Sequence, residues 1–259
     1  MVRRPKSLNI YLGGSDLSSN PDTSRVVHLI LRSLPLLPNI SFLRIDVRRD
    51  EPPYLTRIIR EIMFCPMANT LQCLGLTGCV ERLSSLAECT PQQISLQRLT
   101  RLNLFFVDNQ MMDAFGNPIS TRQCSSSHTV PVLLLLAPTL RFLSIQTSVD
   151  LAPIFDALNQ SCTPHSSIPF PNLHSLHLDL LPFTKSMQSS PGSLRRFLLA
   201  HNKHLKHLYF KLQISRERAP GVNDSLGAWF SELVDTNYPF PTLESLDRKS
   251  TRLNSSHVD

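Results

Sequence analysis

Histidine and cysteine are the side chains here with the most chemistry to offer, and their spacing limits what they can do. His174 and His177 lie three apart, as do His204 and His207, a spacing that raises the question of a metal. Each pair brackets a Leu-containing phrase that reads as a strand, and on a strand residues three apart point to opposite faces. The pairs therefore do not converge within themselves. His177 and His207 sit in successive copies of that phrase, in neighbouring outward columns, and could meet across two strands; two exposed histidines are the simpler reading, and no metal is expected. Six cysteines (Cys65, Cys73, Cys79, Cys89, Cys124, Cys162) are scattered without a CxxC pair, which supports neither a zinc site nor a redox motif. Free, partly buried thiols in a reducing compartment are the expectation. No GxSxG, P-loop, HExxH or GxGxxG is present, and no spacing of Ser, Asp and His singles out a triad. The expectation is a chain with no cofactor and no enzymatic activity.

The elements that would position such side chains follow from composition and pattern. With 259 residues, 41% hydrophobic and 18% charged, the chain can bury a substantial core. Only 8 glycines against 20 prolines argues against glycine-rich nucleotide-binding turns, and the prolines recur as punctuation between apolar runs. The net charge is +6, yet Lys and Arg are spread along the chain without a dense block or a groove-reading motif, so nucleic acid is not expected as a partner. No apolar run approaches the roughly 18 residues of a membrane span, and the basic N-terminus is not followed by a signal-peptide core. A cytoplasmic or nuclear location is expected.

One phrase returns along the chain: an apolar anchor, two variable residues, Leu, one residue, and a further apolar residue. Its six complete copies are anchored at Ile40, Leu71, Leu99, Leu140, Leu173 and Leu205. Partial copies stand at Leu8-Asn-Ile10 and at Leu243-Glu-Ser-Leu246. Several anchors are preceded by Pro-Asn or Pro-Thr, as at Pro38-Asn39, Pro138-Thr139, Pro171-Asn172 and Pro241-Thr242. Anchors are separated by 31, 28, 41, 33, 32 and 38 residues, room for a strand, a turn and a helix in most units.

The segments between the copies show helical spacing. Thr23 or Ser24 is expected to cap a helix carrying Val26, Val27, Ile30 and Leu34. Helices are also expected around Tyr54, Leu55, Ile58, Ile59 and Ile62, around Leu151, Ile154, Phe155 and Leu158, and around Leu194, Phe197 and Leu198. The clearest amphipathic pattern is Leu226, Trp229, Phe230, Leu233 and Val234, capped by Asn223 or Asp224. Polar stretches at 116–128, 161–167 and 184–192 read as surface insertions. No unit can bury both its strand face and its helix face alone, so neighbours must stack. The predicted fold class is α/β: a leucine-rich-repeat solenoid, a right-handed arc with parallel strands on the concave face and helices on the convex face, incomplete at both ends.

With the motif leucines pointing inward, alternation sends the intervening residues outward. Phe42, Arg44 and Asp46, Cys73, Gly75 and Thr77, and Arg101, Asn103 and Phe105 form the first three rows. Phe142, Ser144 and Gln146, Ser175, His177 and Asp179, and His207, Tyr209 and Lys211 form the others. Aromatics and arginine supply most of the energy in protein interfaces. Phe42, Arg44, Arg101, Asn103, Phe105, Phe142, His177, His207 and Tyr209 are therefore the candidate protein-binding residues. Phe42, Arg101, Phe105, Phe142 and Tyr209 are expected to stand exposed, the alternative being that Phe42 and Phe142 pack on neighbouring strands.

The phrases Leu136-Ala-Pro-Thr-Leu-Arg-Phe-Leu-Ser-Ile145 and Phe170-Pro-Asn-Leu-His-Ser-Leu-His-Leu178, in irregular units of about thirty residues, resemble the repeat region of fungal F-box proteins. The resemblance spans roughly Leu8 to Leu246. It implies a substrate-recognition role in a ubiquitin ligase, with a Skp-type adaptor as partner if an F-box stands upstream; the chain begins inside a repeat and shows no F-box-like segment. The alternative is a general leucine-rich-repeat scaffold. Residues 247–257 resemble no repeat and instead match one reading frame of a common short-read sequencing adapter, so residues 1–246 are taken as the repeat domain and 247–259 as a non-native tail.

Overall fold

The computed structural model describes residues 5–12, 21–47, 61–62, 65–78, 96–106, 126–147, 151–161, 168–180, 191–214, 232–233 and 245–252. The chain divides into two units, Met1–Leu140 and Arg141–Asp259. In the first, strands β1 (Ser7–Leu12), β2 (Phe42–Val47), β3 (Cys73–Gly78) and β4 (Arg101–Phe106) lie side by side in chain order. All are parallel, with each motif residue beside its counterpart: Leu8, Leu43, Leu74 and Leu102 form one row, and Ile10, Ile45, Leu76 and Leu104 the next. In the second, β5 (Phe142–Thr147), β6 (Ser175–Leu180), β7 (His207–Ile214) and β8 (Ser245–Arg252) repeat the arrangement. The protein is thus α/β, built on parallel strands with helices in the connections.

Parallel neighbours need a crossover connection, and the intervening segments supply it. Helix α1 (Pro21–Ser33) follows β1, α2 (Ser126–Leu136) precedes β5, α3 (Ala152–Gln160) joins β5 to β6, and α4 (Pro191–Ala200) joins β6 to β7. Between β2 and β3 the described residues include helical Glu61 and Ile62 and a short 3-10 turn at Pro66–Asn69. Thr23 and Ser24 do not cap α1. The helix begins earlier, at Pro21, whose fixed φ suits a first helical position, and both residues fall in its first turn. The helices expected around Ile154 and Phe197 form as read, with Ile154, Phe155, Leu158, Leu194, Phe197 and Leu198 all buried. Of the expected helix at 54–62 only Glu61 and Ile62 are described; both are helical and Ile62 is buried. Leu233, also helical and buried, is the sole described apolar residue of the pattern around Trp229.

Two helices extend into stretches expected to be polar insertions. Helix α2 takes in Ser126, Ser127 and His128, and α4 starts on Pro191 and Gly192. The apolar run in α2, Val132-Leu-Leu-Leu-Leu136, has no helical period and follows Pro131, so periodicity alone does not disclose it.

The core follows the strand alternation. All six anchors are fully buried, and the inward motif residues Leu43, Ile45, Leu74, Leu76, Leu102, Leu104, Leu143, Ile145, Leu176, Leu178, Leu208 and Phe210 are buried with them. In the second unit the core continues into an aromatic cluster, with ring centroids 5.0 Å apart for Phe155 and Phe197 and 5.9 Å for Phe170 and Phe197. Burying a side chain of this size contributes roughly 1.5–3 kcal/mol, so the repeating row of leucines dominates stability.

Successive units are stitched by the same backbone device. The N–H groups of two residues at each strand start share one carbonyl of the preceding unit: Ser41 and Phe42 donate to Lys6, Gln72 and Cys73 to Ser41, Thr100 and Arg101 to Gln72. His174 and Ser175 donate likewise to Arg141, and Lys206 and His207 to His174. Thr70, next to the Leu71 anchor, shows why a hydroxyl serves there. Its Oγ1 lies 2.8 Å from the Pro38 carbonyl, 2.9 Å from that of Ile40 and 3.0 Å from that of Met67. One proton shared among three acceptors ties a turn to the unit before it.

Strand β8 differs from its neighbours. Its register sets Leu246 beside Leu208, but Arg248 beside Phe210 and Ser250 beside Leu212. The row that is isoleucine, leucine and phenylalanine in β5 to β7 (Ile145, Leu178, Phe210) becomes basic there at Arg248. Among the described residues no helix is long and apolar enough to cross a membrane.

Candidate protein-interaction faces

In the second unit the outward residues fall into three cross-strand columns: Phe142, Ser175 and His207; Ser144, His177 and Tyr209; Gln146, Asp179 and Lys211. On β5 and β6 the pattern along each strand is strict alternation of half-buried outward and buried inward side chains. Phe142 and Tyr209, expected to be exposed, are half-buried. Both pack against His177. Its ring meets Phe142 edge-on at 4.5 Å and 63°, and lies 5.1 Å from Tyr209 at 37°. The three rings form a diagonal relay across β5, β6 and β7, a cross-strand packing within reach of aromatic side chains.

That relay settles what His177 can do. Burial between two rings pushes its pKa below the ordinary histidine range, and the nearby His207 pushes the same way. A neutral imidazole at physiological pH is a packing and hydrogen-bonding group rather than a cation. Among the described residues no group of three or more His, Cys, Asp and Glu side chains could hold a metal. Beside the relay, Lys211 Nζ donates to Asp179 Oδ2 at 3.1 Å, while Asp179 Oδ1 is buried and has no hydrogen-bond partner. The face is therefore close to neutral, aromatic at its centre and hydrogen-bonding at its rim.

The first unit builds a different face from the same columns. Phe42, Cys73 and Arg101 form the first, Arg44, Gly75 and Asn103 the second, and Asp46, Thr77 and Phe105 the third. Arg101 and Arg44 are exposed, whereas Phe42 and Phe105 are half-buried rather than exposed. Arg44 lies over Gly75: a Cβ placed there would stand 3.4 Å from Arg44 Cγ. The guanidinium then reaches Asp46, with 3.6 Å between Nη2 and Oδ2, and Asp46 is only 3% exposed. Asn103 Nδ2 donates to Cys73 Sγ at 3.4 Å. Burial raises the Cys73 thiol above its ordinary pKa although Arg101 and that hydrogen bond act against the rise. Cys65 is raised by burial too. Neither thiol is activated as a nucleophile, in keeping with the free, partly buried cysteines expected; the other four lie outside the described residues.

The structure also shows residues that the sequence reading passed over. Tyr11, 65% exposed, occupies the third column next to Asp46, and the partial copy at Leu8 was the signal that could have placed it. His201 is fully buried in the second unit. Its Nδ1 lies 2.7 Å from the Phe197 carbonyl, and its Nε2 accepts from the Phe170 N–H at 3.3 Å. Because Nε2 must accept, Nδ1 carries the proton and donates. Burial pushes this imidazole down to about 4, against the opposing pull of the Phe197 carbonyl. It is a core element joining the end of α4 to the segment ahead of β6.

Comparison with known proteins finds no match: no family model fits the chain, and neither a curated protein nor a solved structure is similar to it.

Proposed function

We propose that the chain is a leucine-rich-repeat solenoid that acts as a non-enzymatic protein-interaction module. What carries this reading is the in-register stacking of outward columns, in which Phe42, Arg44, Arg101, Asn103, Phe105, Phe142, His177, His207 and Tyr209 all share the outward side of their strands. Half-buried rings held by their neighbours lose little side-chain entropy on docking, which favours them as binding anchors. Parallel strands joined by helical crossovers, with equivalent bonds at successive strand starts, support the solenoid.

Within that class the F-box resemblance supports reading the chain as the substrate-recognition repeat region of a ubiquitin-ligase subunit, located in the cytoplasm or nucleus, with a Skp-type adaptor as partner only if an F-box stands upstream. Two measurements test the proposal. The product of the intact transcript is mixed with purified Skp-type adaptor; failure to bind refutes the ligase assignment and leaves a general scaffold. Partner proteins captured from the native source are then re-tested against Phe142→Ala and Tyr209→Ala, each shown by circular dichroism to be folded at the assay temperature. Capture that persists in both variants places the interface elsewhere and refutes the outward-face reading.

A further inference from the structure

Strand β1 leaves one edge of the first unit's strands open. Its ladder runs to β2 alone, and among the described residues no strand lies on its other side. The Lys6 carbonyl accepts from Ser41 and Phe42, so it points towards β2. Backbone groups of successive strand residues point to opposite edges. Those of Leu8 and Ile10 therefore face β2, and those of Ser7, Asn9 and Tyr11 face the open edge. The edge is also short of apolar cover. Leu8 is half-buried, whereas Leu43, Leu74 and Leu102 in the same row are fully buried. Three large apolar side chains are exposed among the described residues: Tyr11 at 65%, Leu29 at 59% and Leu36 at 78%. All three belong to β1, to α1 or to the 3-10 turn Leu34–Leu36 that follows it. Open edges are commonly blunted by charge or proline within the strand, and Ser7–Leu12 carries neither.

We propose that β1 pairs with β1 of a second copy of this chain, antiparallel, about a twofold axis at Asn9. That register sets Asn9 beside Asn9 of the second copy and Ser7 beside its Tyr11, so every edge-facing N–H meets a carbonyl. It also sets Leu8 beside Ile10 of the second copy in the closer, non-hydrogen-bonded positions. The inward apolar row then continues across the axis and covers Leu8. A register shifted by one residue would instead set Leu8 and Ile10 against outward residues. An axis normal to the strands keeps the helices of both copies on one side, so Leu29 and Leu36 of each lie on the same side of the joint sheet. The opposite end of the strand order argues against head-to-tail stacking. Set against β8 in the repeat register, Leu8 would meet Leu246 but Ile10 would meet Arg248, and that strand also carries Asp247, Lys249 and Arg252. Self-pairing of β1 meets no charge. A six-residue strand pair is small for a protein interface, so a dissociation constant on the order of micromolar is expected.

The test is sedimentation velocity on the full chain over a concentration range that brackets the micromolar, with the variants Asn9→Lys and Asn9→Glu. Asn9 is exposed, so neither change touches the core, and circular dichroism checks that both variants are folded. The wild type is expected to pass from monomer to dimer and no further. Each variant alone sets two like charges face to face at the axis and is expected to self-associate at least fivefold more weakly. An equimolar mixture of the two variants sets opposite charges face to face and is expected to regain at least the wild-type affinity. A wild type that stays monomeric, or that grows beyond the dimer, overturns the proposal. So do variants that dimerise as the wild type does, and a mixture that fails to pair.

Discussion

Acid should loosen the second unit through one residue, His201. The imidazole is fully buried, donates from Nδ1 to the Phe197 carbonyl, and uses Nε2 as the acceptor for the Phe170 N–H. A second proton on the ring would convert that acceptor into a donor facing another donor in a fully buried site. Burial accordingly holds the folded-state pKa at about 4 against an ordinary 6.5. The unfolded chain therefore binds more protons than the folded one between those values, and stability must fall as pH falls through that window. Full stability is present above about 6.5. A difference of this size amounts to about 2 kcal/mol lost by pH 5 and about 3 kcal/mol by pH 4, a large share of the roughly 5–15 kcal/mol that holds a domain together. Urea melts of the wild type and of His201→Gln, followed by circular dichroism from pH 7.5 to pH 4, isolate the effect from the carboxylates common to both. The variant is less stable at pH 7.5, and its deficit should shrink by about 2–3 kcal/mol towards pH 4. A deficit that stays constant across the range refutes the assignment of His201 as a buried neutral acceptor.

Further outcomes follow from particular contacts. Arg196 pairs with Asp156 at 2.7 Å, but the side chains are 67% and 40% exposed; Arg196→Ala should cost no more than about 1 kcal/mol in a thermal melt. Asp156→Ala should cost more, about 1–3 kcal/mol, because Asp156 Oδ1 also accepts at 2.6 Å from Ser193, whose side chain is buried. Thr70→Val keeps the shape but removes the hydroxyl held by three carbonyls, and urea melts should show a loss of about 1–2 kcal/mol. Phe197→Ala, at the centre of the contacts with Phe155, Phe170 and His201, should cost about 3–5 kcal/mol by the same measurement.

The leucine phrase by itself determined the strands, their inward rows and the membership of the outward columns. A period of two leaves no freedom once the buried row is known, because a one-residue slip would expose every leucine. The helices at Ile154 and Phe197 were equally legible, since each carries apolar residues at helical spacing. Helix α2 was not, because Val132 to Leu136 is apolar on all sides and gives no face. What one residue does to its neighbour was likewise decided only by tertiary structure. His177 becomes a half-buried ring between Phe142 and Tyr209, residues 35 positions before it and 32 after. Arg141, His174 and Lys206, separated by 33 and 32 positions, come side by side only when parallel strands align. Chain distance sets local propensity and face. Parallel pairing, which joins residues about thirty positions apart, sets contact, burial and charge, and those are the properties on which the proposed binding depends.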